Sequence, residues 1–286
     1  MMNPVHFIGI RQRYWALRHG MPFDNQGYVI QLNDNLFMPL SPGAIQDFQA
    51  GAGGELNNNM YALHSSSALV ANLFDYWRLY NQLQPIMATL CPHLGICPAQ
   101  DIHYEVPMPI DWNLPPRGQP RHPHLDVLIE YRDPATMDTR KAVAVESKFR
   151  ETYGQNQGNF APIYLDPQNA GIWEGLGPLR EIAGQIHDNQ VVFQHLKVSQ
   201  LIKHILGLRS QFGVPNFELL YLWYAVPGPH AVQHAREVRE FTRLTQQCRP
   251  RVKFRAITHQ CFTHSLAGDH RSTHGAYIDY LVERYF

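Results

Sequence analysis

The order of apolar patterns along the chain predicts a mixed α/β domain built on a helix, three strands, a helix and a strand. Three observations predict it: a helical pattern over residues 67–84, three strand patterns between residues 102 and 149, and a helix followed by a strand from 189 to 226. The sequence contains no internal repeat and no low-complexity run, so one domain is the simplest division of the 286 residues.

The first helix is predicted from serine capping residues followed by an amphipathic stripe. Ser65, Ser66 and Ser67 offer side-chain oxygens that can accept hydrogen bonds from the first turn. The apolar residues that follow at helical spacing are Leu69, Val70, Leu73, Phe74, Trp77 and Tyr80. Residues 1–60 give no clear pattern, and we treat 1–54 as an N-terminal extension.

Three strands follow the helix. Residues 102–108 alternate apolar and polar side chains, while 125–131 and 142–149 are nearly continuous runs of β-formers. The second and third runs are joined by residues 132–138, which are rich in turn formers. The sequence therefore predicts a hairpin at this point.

The rest of the chain predicts a long connection and then alternating helices and strands. Residues 154–184 are rich in Gly, Pro, Asn and aromatic side chains, and a connection of that length often has a function. A helix at 189–209 and a strand at 217–226 complete a core of about 55–226. Residues 227–286 are predicted to add a helix (230–247), a strand (251–258) and a further helix.

Composition restricts the partners and the location. Lys and Arg together number 24, as do Asp and Glu, so binding to a polyanion must depend on local basic patches. No apolar run approaches the roughly 18 residues of a membrane span, and the N terminus lacks the order of a secretory signal. We therefore expect a cytoplasmic protein with no membrane partner.

The clearest chemical feature is Glu146-Ser147-Lys148, inside the third predicted strand. Because side chains alternate along a strand, Glu146 and Lys148 project to one face and Ser147 to the other. Two charges in an otherwise apolar strand are costly to desolvate, by several kcal/mol for each unpaired ion. An ion pair or a metal ion must offset that cost.

Asp126, at the start of the preceding strand, is expected to lie beside Glu146 through the hairpin. Two carboxylates in contact repel each other unless a cation lies between them or one is protonated. Oxygen ligands favour Mg²⁺ or Mn²⁺. We expect Lys148, held near such an ion, to have a lowered pKa and to act on the attacking water or on the phosphate.

These residues resemble a known signature. Leu125-Asp126, nineteen further residues and then Glu146-Ser147-Lys148, with this element order, resemble the PD-(D/E)XK superfamily of restriction-endonuclease-like proteins. The resemblance implies an αβββαβ core with a central mixed β-sheet flanked by helices, and metal-dependent hydrolysis of phosphodiester bonds. Asp126, Glu146 and the backbone carbonyl of Ser147 would hold Mg²⁺ or Mn²⁺, and Lys148 would be catalytic. Leu125 stands where the motif has proline.

Two further site residues are implied by the same resemblance. Glu55 is the candidate for the early acidic residue that the superfamily carries on or before its first helix; the alternative is a solvated loop carboxylate. Gln200 corresponds to a polar position on the helix after the third strand, with a surface glutamine as the alternative.

Two basic strips could contact nucleic acid. Arg251, Lys253 and Arg255 line one face of the last predicted strand, and Arg236, Arg239 and Arg243 share a helical face. Ordinary solvated surfaces are the alternative. A last set of aromatic side chains could stack on unpaired bases or pack the long connection down: Tyr153, Phe160, Tyr164 and Trp173.

The sequence favours a Mg²⁺-dependent or Mn²⁺-dependent nuclease. The expected partner is nucleic acid, DNA in the first place, and a homodimer is compatible with it. Two alternatives stay open: a nucleic-acid-binding module that keeps the fold without cutting, and a hydrolase of small phosphoesters that uses the same ion.

Overall fold

A computed structural model of the chain describes residues 3–51, 53–95, 99–113, 122–133, 139–154 and 158–286. Within these residues the elements, in chain order, are α1 (Pro4–Arg18), α2 (Pro42–Ala50), α3 (Ser66–Leu79), α4 (Leu83–Leu90), β1 (Ala99–Pro107), β2 (His124–Arg132), β3 (Arg140–Lys148), α5 (Gly177–His187), α6 (Val198–Phe212), β4 (Phe217–Trp223), α7 (Pro229–Gln247), β5 (Lys253–Thr258) and α8 (His259–Tyr285), joined by short 3₁₀ turns.

The five strands form one mixed sheet in the order β1-β2-β3-β4-β5. β1 pairs with β2 and β2 with β3 in antiparallel fashion, as the predicted hairpin requires; residues 134–138 of its connection lie outside the described residues. β3 pairs with β4 and β4 with β5 in parallel. The element order α3, β1, β2, β3, α6, β4 confirms the αβββαβ core, with α5 as an addition before α6.

Helices cover both faces of the sheet. On one face Val143 and Val145 of β3 pack in a core with α3, α4 and α8. On the other face Ala142 and Ala144 pack in a core with α5, α6 and α7. Because β3 is central and buried on both faces from Ala142 to Lys148, a charged side chain in that part must be neutralised within the protein.

The N-terminal extension contains two helices that the sequence did not predict. The side of α1 that packs inward is interrupted by the buried amide of Gln12, whose Nε2 donates to the carbonyl oxygen of Arg284 on α8 (2.9 Å). A polar side chain in the buried face weakens the apolar stripe that signals a helix. The hydrogen bond from Gln12 to Arg284 satisfies this buried amide, and it joins residues that lie far apart in the sequence.

Two predicted helix boundaries were wrong. The helix predicted over 67–84 is broken between α3 and α4 at Asn81, whose φ is +52°. The helix predicted from 189 begins only at Val198, because Asn189 has φ +57° and residues 194–196 bond elsewhere. The Glu237 carboxylate accepts their three backbone N–H groups at 2.8 Å each.

The connection after β3 is more ordered than its composition suggested. It contains α5 and a series of 3₁₀ turns. Phe160, Tyr164 and Trp173 are buried there, and the indole N–H of Trp173 donates to the Tyr164 carbonyl (2.7 Å). These side chains therefore pack the connection down, which was the alternative to base stacking. Within the described residues, no helix is long and apolar enough to cross a membrane.

Candidate active site

The candidate site lies where β2 and β3 separate at the carboxyl end of β3. The paired residues of the two strands run from Arg132 with Arg140 to Val127 with Val145, so Asp126 and Glu146 come next in register. At this point the backbone N–H of Ser147 donates a hydrogen bond to a side chain, Oδ2 of Asp126 (2.6 Å). The separation of the strands brings the Asp126 carboxylate beside the Glu146-Ser147-Lys148 segment.

Glu146 is fully buried and is held by an ammonium group and an imidazole ring. Its Oε1 forms an ion pair with Nζ of Lys148, and its Oε2 lies 2.9 Å from Nε2 of His204 on α6. Burial alone would raise the pKa of Glu146, but Lys148 and His204 lower it to about 2. The carboxylate is therefore ionised across the whole physiological range.

Lys148 remains protonated in this arrangement. Burial alone would lower the pKa of its ammonium, but the carboxylates of Glu146 and Asp126 raise it above the ordinary value. We expected a lowered pKa beside a bound metal ion. The arrangement described here makes Lys148 a hydrogen-bond donor and a source of positive charge rather than a base.

The pKa of Asp126 is shifted in the direction opposite to that of Glu146. Burial and the nearby Glu146 carboxylate raise its pKa well above the ordinary value, against the effect of Lys148. One hydrogen bond from the Ser147 backbone does not offset that repulsion. Asp126 is thus a carboxyl group that a further cation would return to its ionised form.

Glu105 of β1 is a third carboxylate of the site, and sequence reasoning missed it. It lies opposite Asp126, between the pairs of Tyr104 with Val127 and Val106 with Leu125. Burial, then Glu55, then Glu146 raise the pKa of Glu105 to about 7. The antiparallel register of β1 with β2 is the signal that could have found it.

The backbone at Glu105 is strained. Its φ of +50° lies in the left-handed region, which costs a residue with a side chain about 1–3 kcal/mol. Close approach of α2 accompanies the strain, since a Cβ placed on Gly51 would lie only 2.8 Å from the Glu105 Cβ. Strain of this size at a charged residue is typical of functional sites.

Glu55 lies at the start of a 3₁₀ turn, half-buried and close enough to Glu105 to raise its pKa. Its Oε2 accepts a hydrogen bond from the Ser67 hydroxyl (2.7 Å), and its Oε1 accepts one from the Asn59 amide (3.3 Å). The loop is thereby tied to the first turn of α3. Glu55 belongs to the same group of carboxylates and is not a fully solvated loop residue.

A cavity of about 350 Å³ lies beside this group, on the α6 side of the sheet. Gln200, Lys197 and Lys203 line it with His204, so Gln200 shares this cavity with the residue that contacts Glu146. Burial lowers the pKa of both lysines, and the charge of Lys148 also lowers that of Lys197. His204 was not predicted; its position one turn after Gln200 on the same helical face could have indicated it.

The structure places the predicted basic strip on β5 away from the carboxylates and the strip on α7 on an exposed helical face. Arg255 is paired with Leu220 in the sheet, whereas Glu146 is paired with Tyr221, so the two side chains leave opposite faces. The guanidinium of Arg255 contacts Glu218 (3.2 Å) and donates to the Leu90 carbonyl (2.7 Å). Lys253 and Arg251 lie at the end of the sheet opposite to Lys148. Arg236, Arg239 and Arg243 are exposed on α7.

The donor set can be tested for its fit to a divalent cation. Among the described residues, no three His, Cys, Asp or Glu side chains converge closely enough to hold a metal ion as they stand. The chemistry of the donors fits nonetheless, because Glu105, Asp126 and Glu146 supply carboxylate oxygens, which Mg²⁺ and Mn²⁺ prefer. Burial, and then neighbouring carboxylates, raise the pKa values of Asp126 and Glu105, and a bound cation would oppose both effects.

Comparison with known protein families gives one finding that covers most of the chain. Residues 16–286 match the family described as Restriction Endonuclease associating with ARP. No curated protein and no solved structure matches the chain. The match extends from α1 to the end of α8 and includes every residue of the candidate site, in agreement with the restriction-endonuclease-like superfamily that the sequence resembles. The chain therefore belongs to the family of restriction endonucleases associating with ARP.

Proposed function

We propose that the protein is a Mg²⁺-dependent or Mn²⁺-dependent nuclease that hydrolyses phosphodiester bonds in DNA. Membership in the family indicates a nuclease-like function and a nucleic acid substrate. The more specific proposal, metal-dependent cleavage of DNA, rests on one observation. Asp126 and Glu146 lie together with a protonated Lys148 at the open end of β3. Action by two copies together, as a homodimer, stays a prediction.

Each residue has a distinct role in the proposed reaction. Asp126, Glu146 and the Ser147 carbonyl would hold the cation, with Glu105 as a further carboxylate at the same point. A divalent cation, when bound, neutralises phosphate charge and lowers the pKa of a water molecule.

Lys148 donates to a phosphate oxygen and stabilises the negative charge that grows there in the transition state. His204 holds Glu146 from the α6 side and fixes the direction of its carboxylate. It acts as a positioning residue, because it contacts the carboxylate rather than the substrate.

The cavity beside the site offers a path for the substrate strand. Lys197 and Lys203 are both half-buried there, with Gln200 between them on the chain. Partly desolvated ammonium groups interact more strongly with phosphate than solvated ones do, since the effective dielectric constant is lower. Such contacts give affinity without selecting a base sequence.

The test is nicking of supercoiled plasmid in the presence of Mg²⁺ or Mn²⁺, with Lys148→Ala as the variant. We expect the rate to fall by about 10²-fold or more, because an electrostatic stabiliser of the transition state is lost. Lys141→Ala is the matched control: Lys141 lies at the other end of β3 and is paired with Asp133 (2.5 Å). Circular dichroism checks the fold of both variants. Cutting by Lys148→Ala at the wild-type rate would rule out its catalytic role.

A non-cutting nucleic-acid-binding module is the second candidate, and one observation favours it. Lys148 already forms an ion pair with Glu146, and His204 contacts the other carboxylate oxygen, so this carboxylate has less need of a metal ion. A protein of this kind would bind DNA with a strong dependence on salt and would leave the plasmid supercoiled with either cation. The nicking assay and a binding titration together distinguish the two functions.

A further inference from the structure

A second charged cleft, of about 590 Å³, lies between α1 and the loop that follows β3. It is distinct from the cavity beside α6 and shares no lining residue with it. Its polar and charged lining residues are Asn3, His6, Arg13, Gln26, His64 and Arg150. The charged members of this set are all cationic when ionised.

The two arginines of the cleft lack a carboxylate partner within the described residues. The ion pairs found there involve neither Arg13 nor Arg150. Arg13 donates to the backbone carbonyl of Asn25 (2.7 Å), which is uncharged. Two carboxylates lie nearby: Oε2 of Glu151 accepts the backbone N–H of Phe149 (2.9 Å), and Oδ1 of Asp24, whose charge interacts with Arg13, accepts the backbone N–H groups of Gln26 and Tyr28 (2.9 Å each).

The lining of the cleft therefore contains two guanidinium groups and no carboxylate. Arg150 is half-buried, and burial lowers the pKa of its guanidinium against the effect of Glu151. Burial, and then the charge of Arg150, lower the pKa of His64 to about 4. His64 is thus neutral at physiological pH and offers a ring N–H as a donor, while the arginines keep their charge. Such a set suits an anion with several acceptor oxygens.

The position of Arg150 connects the cleft to the candidate active site. Arg150 follows Lys148 by two residues, so their Cα atoms are at most about 7 Å apart. Both lie at the carboxyl end of β3, where α/β proteins bind their ligands. The cleft is therefore adjacent along the chain to the segment that carries Lys148.

We propose that this cleft is a phosphate-binding site, in which Arg13 and Arg150 hold the anion and His64 donates a further hydrogen bond. Guanidinium groups bind phosphate oxygens in pairs, which favours phosphate over a simple halide. The phosphate is either a backbone phosphate of the bound nucleic acid strand or the phosphate of a free nucleotide. The first source rests on the proposed function.

Binding to a DNA duplex in the presence of EDTA separates this proposal from the question of cutting. The variants are Arg13→Gln, Arg150→Gln and the double variant. Arg18→Gln is the control, since Arg18 is an exposed residue on the same helix outside the cleft. Fluorescence anisotropy gives the Kd at several salt concentrations. A melting curve for each variant checks folding, and Arg13→Gln alone carries the test where Arg150→Gln does not fold.

A backbone phosphate in the cleft predicts that the double variant binds DNA about tenfold more weakly. The slope of log K against log salt should fall by about 0.9, the value for one phosphate of a duplex. Arg18→Gln should change neither quantity by a comparable amount.

A second titration detects a free nucleotide as the source. Inorganic phosphate is added while the imidazole resonance of His64 is followed by NMR, with assignment from His64→Asn. A saturable shift in the wild type that is absent in the double variant, with DNA affinity unchanged, would assign the cleft to a free phosphate compound. Unchanged DNA affinity together with no shift would overturn the proposal.

Discussion

The two faces of β3 differ sharply although they belong to one buried strand. On the face toward α6, Glu146 and Lys148 form an ion pair that His204 extends. On the face toward α3 and α8, Val143 and Val145 are packed in an apolar core, and Ser147 is the polar residue at the end. The faces share backbone, length and burial, so the difference lies in the side chains alone.

Two buried histidines show what that difference means. His204 faces a carboxylate, whereas His259 faces the Ser147 hydroxyl, with its Nε2 at 3.2 Å from the Oγ. Burial lowers the pKa of His259 to about 3, so it is neutral. From Val143 to Ser147 the fold therefore keeps one face of β3 free of charge, and it concentrates buried charge on the other face. Replacing a buried ion pair with apolar side chains is often neutral or stabilising, so stability alone does not explain why this face is charged.

The largest expected effect is on the charged face. Lys148→Met should reduce the free energy of unfolding by about 3–5 kcal/mol at pH 8, because Glu146, Asp126 and Glu105 lose their shared cation. The double variant Lys148→Met/Glu146→Met should recover much of that loss. Urea denaturation measures both. If Lys148→Met were as stable as the wild type, the charge of Lys148 would not stabilise these carboxylates.

The apolar face should respond differently. Val145→Ala removes two buried carbon atoms and should reduce the free energy of unfolding by about 2 kcal/mol. Because no charge is involved, the loss should be the same at pH 5 and pH 8 and in low and high salt. Urea denaturation of the wild type and of Val145→Ala under each of these conditions tests this prediction. A loss that varied strongly with pH would contradict the separation of the two faces.

Replacing Glu105 should change the stability by a smaller amount, in a direction that follows from its raised pKa. Its pKa is raised to about 7 in the fold from an ordinary value near 4.5. The stabilisation from its protonated form is therefore fully present below about pH 4.5 and is lost as pH rises through about 7. Glu105→Gln should melt at a higher temperature than the wild type at pH 8 and at the same temperature at pH 4. A lower melting temperature at pH 8 would show that the carboxylate is not repelled.

Ser147→Ala should have the smallest effect. It removes one hydroxyl that faces a neutral histidine, and the net value of such a hydrogen bond is about 1 kcal/mol. The melting temperature should fall slightly, by the same amount at every pH between 5 and 8. A larger fall at low pH would indicate that His259 becomes charged in the variant.

Local sequence patterns predicted the strands, and they singled out Asp126 and the Glu146-Ser147-Lys148 segment, which lie together in the structure. Strands buried on both faces leave continuous apolar runs, and a charged pair two residues apart inside such a run can be recognised without a structure. The element order then placed Asp126 beside Glu146. All of this information lies within short stretches of chain.

The remaining parts of the site depend on contacts between distant stretches. Glu105 is identified only by the register of β1 with β2, and His204 only by how α6 packs on β3. Helix α1 was missed because its buried face contains Gln12, which is satisfied by the far end of the chain. No local sequence pattern predicts such contacts between distant residues, and none predicts the cleft that Arg13 and Arg150 line.

The central claim is that the charged face of β3 is a binding centre for a divalent cation. Titration of Mn²⁺ into the metal-free protein, followed by calorimetry, tests it directly, with Asp126→Asn as the variant and Lys141→Ala as the control. We predict a saturable heat for the wild type and the control, and binding roughly tenfold weaker or more in Asp126→Asn, which lacks one carboxylate ligand. The same affinity in Asp126→Asn, or no heat from the wild type at millimolar Mn²⁺, would contradict the account.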